Sequence, residues 1–306
     1  MKVAHLNGAV YGMEDTIGIV GQGFVGTAVH EGMKGAYRVE TYDKYLSERS
    51  TCTGLADLAD KASVIFVCVP TPMRRDGSCD TSIVESVVRE LSKVATHHIV
   101  AIKSTVPPGT TDRLNGLFGT GSAHEDRQDG SEFQIVFQPE FLTEATANDD
   151  FRNQNRIIVG GPRPATTIVR QIFHKVFPEI PIVKTSSTIA EMIKYTTNTF
   201  LATKVAFANE MAQICNTFED CDWDKVVEYA KLDPRLGNTH WSTPGPDGKR
   251  GFGGSCFPKD INGLASVARA RGVKPTLLEA AWSKNLEVRP ERDWEDLKGR
   301  AVVHDD

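Results

Sequence analysis

The sequence predicts an α/β chain of two domains, a mostly parallel sheet covered by helices and then an all-helical domain. Three observations predict it. Short apolar runs alternate with helix-compatible stretches from residue 17 to residue 183, as in consecutive βαβ units. Residues 189–220 hold no Gly or Pro and carry apolar side chains every three or four positions, the pattern of one long helix. The length of 306 residues, at about 150 per domain, allows two buried cores.

Taken in order, the first strand is read at residues 17–20, running into Gly21-Gln22-Gly23-Phe24-Val25-Gly26 and a helix. A second, 38–42, ends at Asp43; a third, 64–69, ends at Pro70; a fourth, 99–102, ends at Lys103 and Ser104. Runs at 135–137, 157–159 and 182–183, with a helical pattern across 164–176, continue the alternation. Thr188 and Glu191, three apart, read as a capping box for the long helix. Its apolar residues, among them Tyr195, Phe200, Ala208, Ala212, Cys215 and Phe218, are numerous enough to bury more than one side. A helix at 223–231, an irregular Gly- and Pro-rich segment at 233–254, a helix from Pro258 to Gly272 and another at 276–287 follow. A short strand is expected at 301–303. The expected divisions are an N-terminal extension (1–15), a sheet domain (16–185), an all-helical domain (186–288) and a C-terminal remnant (289–306) too short for a third core.

Composition narrows the function classes. With 40% hydrophobic and 25% charged residues, the whole chain is neither disordered, collagen-like nor a coiled coil. Lys plus Arg number 35 against 40 Asp plus Glu, which lacks the basic excess of a nucleic-acid binder. Nowhere do about 18 uncharged apolar residues follow one another, and the start has no apolar run before a cleavage site. A soluble, cytoplasmic protein without membrane or nucleic-acid partners is expected. The six cysteines show no paired metal-type spacing, so no metal site is read, and their usage points to a reducing compartment.

Gly21, Gly23 and Gly26, placed between a strand and a helix, form the Gly-rich turn of a Rossmann-like dinucleotide site, where the backbone approaches a pyrophosphate. Asp43, closing the next strand, can accept both ribose hydroxyls and would repel a 2′-phosphate, which selects NAD over NADP. The plainer reading is a tight turn in an ordinary α/β protein. Two further strand ends, Val69-Pro70-Thr71-Pro72 and Lys103-Ser104-Thr105-Val106-Pro107-Pro108-Gly109, fall on the same sheet edge, and Thr71 and Thr105 can donate hydrogen bonds there.

Cys256 directly precedes a helix whose N-terminal amides can stabilise a thiolate, so it is read as a nucleophile; the alternative is a buried structural thiol. A thiol nucleophile is needed when an aldehyde is oxidised, through a thiohemiacetal and a thioester. Asp260 lies one turn along, beside Lys259. Lys194 and Asn198, four apart, share a helix face on which they can hold a developing oxyanion or simply meet solvent. Glu140 and Glu144, after a strand, can exchange protons with substrate or water if burial raises their pKa, or be solvated loop carboxylates.

Together the motifs Gly21 to Gly26, Val69 to Pro72, Lys103 to Pro107, Pro139-Glu140-Phe141-Leu142, Lys194 with Asn198, and Gly251-Phe252-Gly253-Gly254-Ser255-Cys256-Phe257-Pro258-Lys259-Asp260 resemble the UDP-glucose/GDP-mannose dehydrogenase family across residues 16–288. The resemblance implies NAD-dependent, four-electron oxidation of a nucleotide sugar's C6 hydroxyl to a carboxylate, most closely as in the UDP-glucose members. It implies Cys256 as nucleophile, with Lys194, Asn198 and Asp260 positioning oxygen and water, Thr105 in the site network and Glu140 assisting thioester hydrolysis. Expected around the cofactor are Gly21, Gly23, Phe24, Val25, Gly26, Asp43, Lys44, Pro70, Thr71, Thr105 and Glu144. Expected around the substrate are Phe141, Leu142, Lys194, Asn198, Arg235, Lys249, Arg250, Phe252 and Gly253. Lys249 and Arg250 sit in an insertion relative to the family pattern, able to meet a diphosphate or face solvent. Family members usually continue into a third, nucleotide-sugar-binding domain; this chain ends near its first strand, so that domain is expected to be absent, and a partner subunit could complete the site. A homodimer through the long helix is also implied. Two other functions remain: a single-step β-hydroxyacid or sugar-acid dehydrogenase, and an inactive nucleotide-sugar-binding protein.

Overall fold

The computed structural model describes residues 4–6, 9–11, 15–121 and 132–304. The chain divides into two compact units, one of Met1–Thr71 and Thr81–Lys194, the other of Pro72–Asp80 and Tyr195–Asp306.

The first unit opens with a two-stranded antiparallel pair, β1 (Ala4–Leu6) and β2 (Ala9–Tyr11). Its main sheet is built from β3 (Thr16–Val20), β4 (Arg38–Tyr42), β5 (Val64–Val67), β6 (His97–Ile102), β7 (Glu132–Phe137), β8 (Ile157–Gly160) and β9 (Ile182–Thr185), in the order β4-β3-β5-β6-β7-β8-β9. Every pairing is parallel except β7 with β8, which meet antiparallel at Phe137 and Gly160. Helices α1 (Phe24–Met33), α2 (Leu55–Lys61), α3 (Ser82–Val94), α4 (Thr110–Phe118), α5 (Ala147–Arg152) and α6 (Ala165–Val176) connect the strands. Strand side chains alternate between two buried faces. Phe66, Ile99 and Ala101 enter a cluster with Val29, Met33, Phe151 and Phe173. Ile65, Val67, Val100 and Ile102 enter another with Leu58, Val84, Leu91 and Leu114. The chain leaves β3 toward β4 on one side and later returns to β5 on the other, so the carboxyl ends of β3 and β5 flank the crevice where ligands of open α/β sheets bind.

Helix α7 (Ser187–Cys215) starts in the first unit and continues in the second. It stops five residues short of the expected position 220. After the last i→i−4 bond, from Asn216 N to Ala212 O (3.0 Å), Thr217 and Phe218 tighten to i→i−3 bonds, and a disulfide joins Cys215 to Cys221, a pair to which the sequence reading gave no bond. The expected capping box is also absent. Ser186 Oγ accepts from Ile189 N at 3.3 Å, while the Thr188 hydroxyl donates to Asp112 of α4 at 3.0 Å.

The second unit holds α8 (Trp223–Ala230), α9 (Phe257–Ala270) and α10 (Thr276–Val288), of which α9 and α10 join α7 around Ala202, Ala206, Phe252, Ile261 and Ala281. Residues 301–303 form no strand. Val302 makes isolated bridges, one to Met73, with Met73 N bonded to Ala301 O (2.8 Å) and Val303 N to Met73 O (3.0 Å). Trp294 and Arg289 are buried, so the last stretch is tied into this unit. Among the described residues no helix is long and apolar enough to cross a membrane.

Candidate functional site

The first unit supplies the Gly-rich turn. Gly21 has φ +91°, and a Cβ there would lie 2.8 Å from Cys68 O; a Cβ at Gly26 would lie 1.9 Å from Gly21 O. Both positions therefore exclude a side chain for reasons internal to the fold. Gly23 differs, since a Cβ there would meet nothing within 4 Å. It occupies the N-cap of α1, which has no side-chain cap and no acidic residue in its first turn. Open space before uncapped amides suits a phosphate, so the turn fits a dinucleotide's pyrophosphate. Phe24 and Val25 pack against the core.

Asp43 does more than close β4. Its Oδ2 accepts from Gln22 N at 2.7 Å, and its Oδ1 from Tyr45 N and Leu46 N at 2.8 and 2.9 Å. Burial pushes its pKa up, but these three amides outweigh burial and hold it below the usual range, so the carboxylate is ionised. Lys44 is exposed, its ammonium 5.6 Å from the Tyr45 ring centre. A cavity of about 500 Å³ beside the turn is lined by Phe24, Thr27, Arg49, Glu144, Asn148 and Arg152, among others. Arg49 donates to Gln22 O at 3.1 Å. No motif marks Arg49 in the sequence; only the fold brings this cation to the turn. Pro70 is exposed, and the Thr71 hydroxyl donates to Thr105 O at 2.8 Å, tying the two strand-end loops together.

The same unit holds a buried ion pair. Lys194 Nζ donates to Glu140 Oε1 at 2.9 Å and to Glu140 O at 2.8 Å, and Leu142 N donates to Glu140 Oε2 at 2.5 Å. Burial pushes Glu140 up, but the Lys194 ammonium, the Leu142 amide and the Lys103 charge hold it below the ordinary glutamate range. The condition read from the sequence, a pKa raised by burial, is therefore not met at Glu140: it is a buried anion, neither raised nor a solvated loop carboxylate. Lys194 also lies 5.6 Å from the Phe141 ring centre, with Arg156 at 4.2 Å. Lys103, given no role of its own in the sequence, is buried with its ammonium 5.8 Å from the Phe151 and Phe173 ring centres and donates to Gln138 Oε1 at 2.5 Å. Burial lowers its pKa to about 8 against the attraction of Cys68 and Glu140. Glu144 is exposed and faces the cavity.

The second unit carries the thiol. Cys256 is the N-cap residue of α9, with Pro258 in the first turn, and Asp260 N closes the turn on Cys256 O at 3.0 Å. Buried Asp260 accepts from Asn198 Nδ2 at 2.6 Å and from Lys259 Nζ at 2.5 Å. Burial opposes the charge on Lys259, but Asp260, Cys256 and Cys79 outweigh it and raise its pKa, so it stays an ammonium. The preceding loop is clamped by groups that no motif marks. Phe252 N and O pair with the Asn285 side chain at 2.7 and 2.9 Å, Gly251 N donates to Asn209 Oδ1 at 3.3 Å, and Gly254 N donates to Asp293 Oδ2 at 3.4 Å. Buried Arg289 binds Asp293 at 2.6 Å, Asp247 at 2.7 Å and the Arg250 carbonyl at 3.2 Å. A Cβ on Gly253 would fall 2.4 Å from Arg289 Nη2.

The expected substrate residues are thus dispersed in role. Phe252 is a core side chain. Arg235 is exposed and paired with Asp233. Lys249 lies 3.6 Å from Glu291, and Arg250 is exposed. Lys194 belongs to the first unit and Asn198 to the second, four residues apart along α7.

Residues 39–180 match the model of the UDP-glucose/GDP-mannose dehydrogenase family, NAD binding domain, and residues 188–287 match that family's central domain. UDP-glucose 6-dehydrogenase AglM of Haloferax volcanii is 35% identical over 269 residues, covering 85% of this chain and 60% of the relative. A UDP-glucose 6-dehydrogenase of Pseudomonas aeruginosa is 36% identical over 249 residues, covering 78% of this chain and 51% of its own length. The chain therefore spans between 51% and 60% of the length of these two relatives. The solved structure of a UDP-glucose dehydrogenase from the archaeon Pyrobaculum islandicum is similar with a TM-score of 0.77 at 27% identity, over 93% of this chain and 70% of that one.

Proposed function

The chain belongs to the UDP-glucose/GDP-mannose dehydrogenase family, and from that membership we propose that it oxidises the C6 hydroxyl of a nucleotide sugar, UDP-glucose foremost, to the carboxylate with reduction of two NAD. The observation that carries the reading is the setting of Cys256, at the N-terminus of α9 beside an Asp260 gripped by Asn198 and Lys259.

When bound, NAD supplies the hydride acceptor for both oxidations. The turn from Gly21 to Gly26 and the α1 amides would hold its pyrophosphate and Asp43 its ribose. Asp260 and Asn198 would hold a water that relays the C6 hydroxyl proton to the Asp260 carboxylate, the Lys194 ammonium would stabilise the oxyanion, and departure of the first hydride would leave the aldehyde. Cys256 Sγ then adds to the aldehyde carbon to give a thiohemiacetal, and loss of the second hydride leaves a thioester. From family membership alone, Glu140, kept anionic by Lys194, is assigned the proton of the water that cleaves the thioester, a step that releases carboxylate and thiol. Thr105 contributes to the same network.

The test is a count of NADH formed per substrate consumed, across UDP-glucose, GDP-mannose and simple β-hydroxyacids, with reduced protein. Two NADH per nucleotide sugar is the expected result. One per β-hydroxyacid would establish a single-step dehydrogenase instead, and tight sugar-nucleotide binding without NADH would establish an inactive binding protein. The proposal includes a cytoplasmic homodimer formed through α7, whose Phe200, Phe207 and Ile214, seven residues apart, are all exposed on one stripe. Sedimentation of Phe207→Asp is expected to give half the wild-type mass; a wild-type protein already of monomer mass would end that part of the proposal.

A further inference from the structure

Glu191 has no part in the chemistry above, yet it is fully buried and makes two short bonds far along the chain. Its Oε2 accepts from Gly109 N at 2.6 Å and its Oε1 from Thr111 N at 2.8 Å. These amides belong to the start of α4, whose N-cap is Gly109, a residue at φ +94° with no side chain to cap the helix. A carboxylate on another helix has taken that task. The loop ending at Gly109 carries Thr105, and Lys194 follows Glu191 by one turn of α7.

We propose that Glu191 is a positioning residue: its carboxylate fixes the Thr105 loop to the turn of α7 that presents Lys194. This rests on the dehydrogenase reading above. Two acceptor oxygens hold two amides, so only the ionised group satisfies both fully. Burial, aided by the Asp112 carboxylate of α4 and opposed by the Thr111 hydroxyl and the two amides, raises the Glu191 pKa to about 7. Thr188, on the same face of α7, is committed to Asp112, and among the described residues no cation is paired with Glu191. Because the folded pKa lies above the unfolded one, the group's contribution to stability is fully present below the ordinary glutamate value of 4.5 and is lost as pH rises to about 7. The charge that orders the loop therefore costs stability.

This separates a positioning role from a merely structural one. In Glu191→Gln one amide loses its acceptor but no charge is buried. At pH 8 the variant is expected to melt within about 3 °C of wild type, while kcat for NADH production falls about 10- to 100-fold. Wild-type kcat rises through pH 7, and the variant's profile is flat there. Hydrogen exchange of the Gly109 and Thr111 amides, read without turnover, is expected to quicken in the variant at pH 8. Wild-type kcat and an unchanged profile in Glu191→Gln would overturn the proposal. If the wild-type chain produces no NADH, the dehydrogenase reading fails by itself; unchanged exchange at the two amides then overturns the positioning role, and faster exchange at both supports it.

Discussion

Replacing Cys256 by serine is expected to lower carboxylate production by about 1,000-fold or more and to limit NADH to at most one per substrate. The hydroxyl occupies the same N-cap position before α9, so the helix and its amides stay in place and the difference is chemical. A thiol gives up its proton several pH units more readily than an alcohol and adds faster to an aldehyde. The Lys259 ammonium, kept charged by Asp260, Cys256 and Cys79, favours the anion at Sγ and does far less for a serine that remains protonated. Carboxylate measured by mass spectrometry beside NADH measured by absorbance distinguishes the stages. Full conversion to acid in the serine variant, with two NADH, would remove the thioester from the reaction.

The motif around Cys256 was legible because it is contiguous. Ten residues, from Gly251 to Asp260, state both the loop and the start of the helix, and Pro258 marks the first turn. The strands were legible for a similar reason, since a parallel sheet buried on both faces needs unbroken apolar runs such as Val64–Val67. The supports of the site were not legible, because they are pairings across long stretches of chain. Arg289 clamps a loop some forty residues earlier, and Asn209 reaches Gly251 from the last third of α7. Glu191 shows how a local rule misleads: Thr188 and Glu191 have capping-box spacing, but Thr188 goes to Asp112 and Glu191 caps another helix. Short-range spacing specifies what a residue can do, and tertiary contact decides for whom. The sign of the Glu140 shift was equally hidden, because burial alone predicts a rise and it takes Lys194, foremost, with the Leu142 amide and the Lys103 charge to reverse the direction.

That reversal yields the second large effect. Lys194→Met leaves the Glu140 carboxylate buried with the Leu142 amide and without its cation. Breaking a buried pair from one side costs about 3–5 kcal/mol, which lowers the melting temperature by roughly 10 °C in a unit of this size. Activity falls with it, because the ammonium assigned to the oxyanion is gone. Glu140→Gln is expected to be milder in stability, as the amide still accepts from Leu142 and Lys103, whose pKa is already lowered to about 8, can shed its charge as pH rises. The double variant buries neither member of the pair and recovers a substantial part of the loss. The pH dependence has a definite sign. The folded pKa of Glu140 lies below the ordinary value of 4.5, so its stabilisation is complete above that value and disappears as pH falls through the lower one. Calorimetry of the single and double variants from pH 7 downward checks both statements. Glu140→Gln should flatten the acid side of the stability curve, and a Lys194→Met protein melting within about 2 °C of wild type at pH 7 would show that the pair is not what keeps Glu140 ionised.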